Sequence, residues 1–211
     1  MRRVALIDYG SGNLRSAEKA LVRAASGAAE ILVTHDPEAV ARADAVVLPG
    51  VGAFAACMTG LTERTGVIEA MTEAVRGRGA PFLGICVGMQ LLAARGHEFG
   101  VTEGLGWIDG DVRKIAPDDP ALKVPHMGWN APELTRSHPV LAGLDGEAAV
   151  YFTHSFAMFP KDETDVAAYV DHGGRFPAAV ARDNLVGVQF HPEKSQGPGL
   201  RLLADFLEWR P

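Results

Sequence analysis

Two short segments of this sequence carry the residue types that nucleophilic catalysis requires. Cys86 follows the apolar run 81–85, and a His-Pro-Glu segment that contains His191 and Glu193 follows the apolar run 186–190. A thiolate is a strong nucleophile, and a histidine that is oriented by a carboxylate is a common means of generating one. Together the two segments predict a thiol nucleophile, a base and an orienting carboxylate.

The surroundings of Cys86 predict a sharp turn from a strand into a helix. Gly84 and Gly88 flank the cysteine, and residues 89–94 have the composition of a helix. Glycine tolerates strained backbone and leaves room for a substrate beside a nucleophile. A Gly-x-Cys-x-Gly segment alone is more often a tight turn around a buried thiol. Its occurrence together with the His-Pro-Glu segment favours catalysis.

The spacing of His191 and Glu193 places both side chains on one side of the chain. Residues two apart in an extended segment point in the same direction. Pro192 fixes its own φ and biases the residue before it towards extended geometry. The carboxylate can therefore orient the imidazole that serves the thiol.

Composition limits the classes of partner. The chain has 211 residues, a hydrophobic content of 47%, a charged content of 22% and a formal net charge of −6. These values are ordinary for a globular protein, and the acidic balance argues against nucleic acid or an anionic membrane as a partner. The sequence also lacks a Walker loop and a Gly-x-Gly-x-x-Gly segment after a strand.

Cysteine and histidine patterns predict no metal site, no cofactor and a cytoplasmic location. Cys57 and Cys86 are the only cysteines and do not form a Cys-x-x-Cys pair, and the seven histidines form no His-Glu-x-x-His cluster. The apolar run 4–7 near the N-terminus is too short for a signal peptide or a membrane span. A reduced compartment keeps a catalytic thiol usable.

Hydrophobic periodicity predicts an α/β fold formed by one domain that covers residues 1–211. In the first half, short apolar strands alternate with amphipathic helices, of which 14–25 is the clearest, and this alternation predicts a doubly wound, mostly parallel sheet flanked by helices. After residue 110, short runs separated by turns predict an antiparallel C-terminal portion. Active sites in doubly wound sheets lie beyond the carboxyl ends of the strands, where Cys86 falls.

Several segments resemble those of the class I, triad-type glutamine amidotransferases, and the similarity covers essentially the whole chain. Within that class they resemble the family of glutaminase subunits of imidazole glycerol phosphate synthase, an enzyme of histidine biosynthesis. Val87 and Phe156 are mild departures, because leucine and tyrosine are commoner there in the family. The segments are 84–90 (Gly-Ile-Cys-Val-Gly-Met-Gln), 191–193, 8–14 (Asp-Tyr-Gly-Ser-Gly-Asn-Leu), 49–54 (Pro-Gly-Val-Gly-Ala-Phe), 125–130 (Pro-His-Met-Gly-Trp-Asn) and 151–156 (Tyr-Phe-Thr-His-Ser-Phe).

The resemblance implies roles for individual residues. Cys86 would attack the side-chain amide of glutamine, His191 would move the proton, and Glu193 would orient His191. The family's positions for the oxyanion and for substrate glutamine are Gly50, Val51, Gly52, Val87, Gln90, Ser155 and Phe156. The positions that would face a synthase partner are Asn13, Met127, Trp129, Asn130 and Lys194.

The resemblance also implies a partner. Because free ammonia is lost to solvent and no site for a phosphosugar is evident, a separate synthase chain should receive it. The family's partner is the cyclase subunit, a (β/α)₈ barrel, as a 1:1 heterodimer. The cyclase makes imidazole glycerol phosphate and an aminoimidazole carboxamide ribotide.

Two alternatives stay open at this point. One is a glutaminase subunit that serves another synthase, such as that of anthranilate or pyridoxal phosphate. The other is a non-catalytic protein on the same fold. The first would be distinguished by the synthase that the chain binds, and the second by a failure of Cys86 to react with a glutamine-analogue electrophile.

Overall fold

The computed structural model describes residues 1–10, 13–146 and 148–211. Ser11 and Gly12, which belong to the segment 8–14, lie outside the described residues. The helices are α1 (Leu14–Ala25), α2 (Pro37–Ala41), α3 (Phe54–Glu63), α4 (Val67–Thr72), α5 (Val87–Gln90) and α6 (Gln196–Glu208). The strands are β1 (Arg2–Ile7), β2 (Ala29–Thr34), β3 (Ala45–Gly50), β4 (Phe82–Cys86), β5 (Arg95–Gly96), β6 (Thr102–Glu103), β7 (Gly110–Lys114), β8 (His126–Asn130), β9 (Glu133–Leu134), β10 (Val150–His154), β11 (Phe156–Pro160), β12 (Val166–Asp171), β13 (Arg175–Arg182) and β14 (Leu185–Val188).

The main sheet confirms the predicted fold class. In the described part of the chain it has eight strands in the order β2-β1-β3-β4-β14-β13-β12-β9. The first five run parallel to their neighbours, and β14 also pairs antiparallel with β13. β14 therefore joins the parallel part of the sheet to the antiparallel part, which contains β13, β12 and β9.

The order of the first strands explains why the sheet is doubly wound. The chain moves from β1 outwards to β2 and then returns past β1 to β3. Because crossovers between parallel strands are right-handed, this reversal places α1 and α2 on opposite faces of the sheet. In doubly wound sheets, ligands bind beyond the carboxyl ends of the strands where the order reverses, which here is between β1 and β3.

Apolar residues on the central strands form the core. All six residues of β3 and all five of β4 are buried, as expected for parallel strands that are covered on both faces. α6 presents Leu202, Leu203 and Phe206 to the core and packs against α1. These central strands carry the residues of the candidate site.

The described residues also form two smaller sheets. β10 pairs antiparallel with β8, and β11 pairs antiparallel with β7 in a sheet that also contains β5 and β6. Residues 126–130, among which the resemblance places partner-facing positions, thus form strand β8.

Three local features differ from the sequence-based expectation. The helix after Cys86 ends at Gln90, and residues 91–94 form turns that bond to the loop at 104–108. The apolar spacing of residues 67–78 predicts one helix, whereas the structure has α4 followed by a π-helical turn over Glu73–Gly77. α3 was not predicted, because its apolar residues surround the helix and a glycine interrupts it.

Among the described residues, no helix combines the length and the hydropathy that a membrane span would need.

Candidate active site

Cys86 lies at the carboxyl end of β4, in the middle of the main sheet. Its backbone has φ 54° and ψ −112°, and α5 begins at the next residue. A residue other than glycine rarely adopts a positive φ, and such strain is concentrated at functional sites. The structure therefore has the sharp strand-to-helix turn that the flanking glycines predict.

The glycines around Cys86 allow three backbone segments to approach one another. A Cβ atom on Gly88 would lie 1.9 Å from the Leu48 carbonyl oxygen, and one on Gly50 would lie 2.6 Å from the Gly88 nitrogen. A Cβ atom on Gly84 would lie 2.6 Å from the Gly88 carbonyl oxygen. Because glycine has no Cβ atom, α5 can pack this closely against β3 and β4.

His191 and Glu193 lie beside this turn and are buried. His191 Nδ1 is 2.7 Å from Glu193 Oε1, and the two side chains are only 3% and 1% exposed. His191 lies three residues after the end of β14, the strand that pairs with β4, and its backbone N–H donates to the Tyr151 carbonyl. Because Nδ1 faces the carboxylate, Nε2 is the nitrogen left for the hydrogen bond to Cys86.

The charge state of His191 follows from these contacts. Burial lowers the pKa of His191, but hydrogen bonds to Cys86 and Glu193 and the charges of both raise it more, to about 9. The imidazole is therefore protonated at neutral pH. An imidazolium next to the sulfur stabilises a thiolate, which is the nucleophilic form.

Replacing Cys86 by alanine should lower the pKa of His191 from about 9. The substitution removes a hydrogen bond and a charge that both favour the imidazolium, while burial continues to oppose it. The titration of His191 in NMR spectra of the wild type and of Cys86→Ala measures this shift. An unchanged midpoint would mean that Glu193 alone holds the proton.

The end of β3 forms the other wall of the site. Gly50 is the strand partner of Cys86 across the pairing of β3 with β4. The Tyr9 hydroxyl donates to the Pro49 carbonyl at 2.6 Å, and the Cys57 thiol lies 3.4 Å from the Val51 carbonyl oxygen. Side chains therefore hold the backbone carbonyls on both sides of the Gly50–Val51 peptide.

A cavity of about 420 Å³ opens above Cys86, a volume that suits a small polar substrate. The structure brings together most of the residues that the resemblance implies: the lining includes Val51, Gly52, Cys86, Val87, Gln90, Ser155, Phe156, His191 and Lys194. Gly50 and Glu193 lie directly behind the lining, beside Cys86 and His191 respectively.

The comparisons with known proteins agree with this architecture. A family model described as glutamine amidotransferase class-I matches residues 5–209. The chain belongs to the class I glutamine amidotransferase family.

Two relatives that match along the whole chain carry the same name. The chain is 64% identical to the imidazole glycerol phosphate synthase subunit HisH of Caulobacter vibrioides over 214 residues, and this alignment covers 100% of both chains. It is 59% identical to the subunit of the same name from Rhodospirillum rubrum, with 99% and 100% covered.

Solved structures of amidotransferases share the fold. One glutamine amidotransferase is 21% identical with a TM-score of 0.72, over 97% of each chain. Another, from Thermotoga maritima, is 17% identical with a TM-score of 0.65, over 98% of this chain and 96% of that one.

An exposed aromatic surface of this amidotransferase adjoins the cavity. Met127 and Trp129 on β8 are 63% and 50% exposed. The Trp129 ring meets the Tyr151 ring edge-on, and Lys194 Nζ lies 5.7 Å from the centre of the same Tyr151 ring. Since Lys194 also lines the cavity, the surface and the cavity mouth are continuous.

Asn13 and Asn130 make contacts that sequence analysis did not predict. The Asn13 side-chain amide donates to Glu193 Oε1, the same oxygen that binds His191. Asn130 Nδ2 donates to the Asp171 carbonyl at 2.7 Å. Both residues therefore have structural partners within the chain, in addition to any part at an interface.

Sequence reasoning missed Glu98 in the amidotransferase cavity. One oxygen of its carboxylate accepts the Phe54 N–H at 2.9 Å, which caps α3, and the side chain lines the cavity. No motif surrounds Glu98, so only the folded structure reveals it.

Proposed function

We propose that this chain is the glutaminase subunit of an imidazole glycerol phosphate synthase, hydrolysing L-glutamine to glutamate and ammonia for a cyclase partner in histidine biosynthesis. The observation that carries the proposal is the arrangement of Cys86 and His191 in the cavity lining with Glu193 bonded to His191 behind it. The relatives named HisH support the choice of synthase, because they cover the whole chain at high identity.

The arrangement suits acyl transfer to a thiol. The Cys86 thiolate attacks the side-chain amide carbon of glutamine, and the C–N bond of the tetrahedral adduct breaks to leave a γ-glutamyl thioester. The proton held by His191 goes to the departing amine, which leaves as ammonia. His191 then deprotonates a water molecule, which attacks the thioester carbon. The C–S bond breaks, which releases glutamate and restores the Cys86 thiolate beside the protonated His191.

Backbone N–H groups would stabilise the developing oxyanion. Val87 is the first residue of α5, where helix N–H groups lack partners within the helix. Val51 follows Gly50, the strand partner of Cys86, so a Val51 N–H turned towards the site would form a second donor opposite that of Val87. Each such donor contributes roughly 10²–10³ in rate.

Other residues of the lining would hold the glutamine itself. Gln90 uses Nε2 to donate to the Phe156 carbonyl and to Gln189 Oε1, so its own oxygen remains for a substrate N–H group. Glu98 supplies a carboxylate that suits the α-ammonium group. Gly52 and Ser155 complete the lining around the substrate.

The partner surface would be the region that contains Asn13, Met127, Trp129, Asn130 and Lys194. An exposed methionine and tryptophan are typical of the centre of protein interfaces. Its continuity with the cavity suits direct transfer of ammonia to a (β/α)₈ cyclase in a 1:1 cytoplasmic heterodimer, with residues 1–211 as one glutaminase domain.

The function is tested by mixing the purified chain with a cyclase subunit. The complex should convert the cyclase substrate in the presence of glutamine alone, and a glutamine-analogue electrophile should label Cys86 and stop glutamine-dependent turnover while ammonia-dependent turnover continues. A chain that binds only another synthase, or that releases no glutamate in the complex, would contradict the proposal.

Trp129→Ala should weaken binding to the cyclase at least tenfold, because a buried interface tryptophan commonly contributes more than about 2 kcal/mol. The thermal stability of the lone subunit should change little, since the ring is half-exposed there. Titration calorimetry measures the affinity. Val22→Ala, at another exposed apolar residue, is the matched control and should bind normally. Unaltered affinity in Trp129→Ala would remove Trp129 from the interface.

A further inference from the structure

Two buried histidines connect the partner-facing strand to the cavity. His126 on β8 and His154 on β10 are strand partners, and each is at most 5% exposed. His126 Nδ1 is 3.2 Å from His154 Nε2.

The cavity end of this pair determines where the protons lie. His154 Nδ1 is 3.0 Å from the Phe156 carbonyl oxygen. A carbonyl can only accept, so Nδ1 of His154 carries the hydrogen, and Nε2 of the neutral ring is an acceptor. His126 must then donate from Nδ1, which leaves its own Nε2 as an acceptor.

The contacts of Asn130, at the other end of the pair, independently indicate that His126 Nε2 is an acceptor. Asn130 Oδ1 accepts the Ala131 N–H at 2.9 Å, and Asn130 Nδ2 donates to the Asp171 carbonyl. These bonds fix the orientation of the amide, so Nδ2 is the atom that faces His126 Nε2 at 3.4 Å. A donor at that position requires an acceptor at His126 Nε2, in agreement with the cavity end.

Both histidines are neutral at physiological pH. Burial is the largest cause and neighbouring histidines add to it, so that the pKa of His126 and that of His154 are each about 4. A neutral imidazole has one donor nitrogen and one acceptor nitrogen. The hydrogen bonds that run from Asn130 through the two rings to the Phe156 carbonyl require one of each on both rings.

The hydrogen-bonded chain continues to the nucleophile. The Phe156 carbonyl also accepts from Gln90 Nε2 at 2.9 Å, and Gln90 Nε2 donates to Gln189 Oε1 at 3.0 Å. Gln189 Nε2 lies 3.7 Å from Cys86 Sγ. The orientation of the Gln90 amide therefore depends on a carbonyl that His154 holds.

We propose that His126 and His154, both as Nδ1–H tautomers, are positioning residues for the binding of glutamine. They hold the Phe156 carbonyl and, through it, the Gln90 amide. They also link both groups to Asn130 on the partner-facing strand. The part that concerns glutamine and the partner rests on the proposed function. The tautomers do not depend on it.

NMR spectra of the protein labelled with ¹⁵N in histidine test the tautomers directly. At pH 7, Nδ1 of His126 and of His154 should both be protonated and Nε2 of both should be unprotonated, in the free chain and in the complex. A protonated Nε2 on either ring would overturn the proposal, whether or not the chain is a glutaminase.

Variants of His126 test the positioning role. His126→Phe keeps a ring to stack on Phe152 and His172, whose ring centres lie 4.8 Å and 4.2 Å away, but removes both hydrogen bonds. In the complex it should raise the KM for glutamine about tenfold, the effect of one misplaced hydrogen bond, and change kcat less. His126→Asn retains a donor near the Nδ1 position and should restore much of the KM.

His172→Phe is the control, because His172 stacks on His126 but its Nε2 bonds to the Lys123 carbonyl, outside the chain of hydrogen bonds. Its KM should stay within twofold of the wild type. Equal increases in His126→Phe and His172→Phe, or an unchanged KM in His126→Phe, would overturn the positioning role. A wild-type complex without glutaminase activity would instead refute the proposed function.

Discussion

Replacing Cys86 by alanine should reduce glutamate release by the assembled enzyme at least about 10⁴-fold, because the covalent route disappears and nucleophile, base and orienting carboxylate act as a unit. Ammonia-dependent turnover by the cyclase should continue in the same complex, which shows that the partner is intact. Substantial glutaminase activity in Cys86→Ala would refute the assigned mechanism.

The same position allows a test of stored strain. Alanine retains a Cβ atom at φ 54° and therefore retains the strain, whereas glycine relieves it. Cys86→Gly should be at least as stable as Cys86→Ala in urea unfolding, although both are inactive. Ala45→Gly, in the neighbouring strand β3, is the control and should cost about 1 kcal/mol or more. If Cys86→Gly is less stable than Cys86→Ala by as much as Ala45→Gly is less stable than the wild type, the backbone at Cys86 is not strained.

Binding of the cyclase partner should strongly activate glutamate release. The lone subunit should be a poor glutaminase, and addition of the cyclase together with its nucleotide ligand should raise the rate of glutamate release by about 10²–10³. Tyr9 and Cys57 hold the carbonyls of Pro49 and Val51, so a rearrangement of this wall is confined to the peptide between Gly50 and Val51. Glycine permits that peptide two orientations, of which one directs the Val51 N–H at the oxyanion.

The cyclase ligand can shift the equilibrium between the two orientations of the Gly50–Val51 peptide only if it binds more tightly to the complex in one of them. Glutamate release is therefore measured for the lone subunit, the complex, and the complex with the cyclase ligand. The Cys86→Ala complex provides the background rate. Equal rates in the lone subunit and in the liganded complex would show that this wall is rigid and that activity is constitutive.

Local patterns predicted the elements that depend on neighbouring residues. α1 begins and ends where its periodicity indicates, and the turn at Cys86 follows from its glycines. His191 and Glu193 share one side because their spacing requires it. In each case, the information lies within a few residues of the feature.

Features that depend on distant pairing were not predictable in the same way. The contact of His126 with His154 exists only because β8 pairs with β10 in one register, and a shift by one residue would separate the two rings. Glu98 reaches the cavity through the N–H of Phe54, which is distant in sequence. The predicted helix after Cys86 ends early, because residues 91–94 bond to a later loop instead.

The placement of β4 between β3 and β14 has a consequence for the order in which the protein opens. Amide hydrogens in these buried central strands should exchange with solvent most slowly, whereas β8, which in the described residues pairs only with β10, should exchange sooner. Local opening of β8 would loosen the proposed partner surface while the strands around Cys86 stay closed. On mild heating, the complex should therefore dissociate before the strands that position Cys86 unfold, and cooling should restore activity.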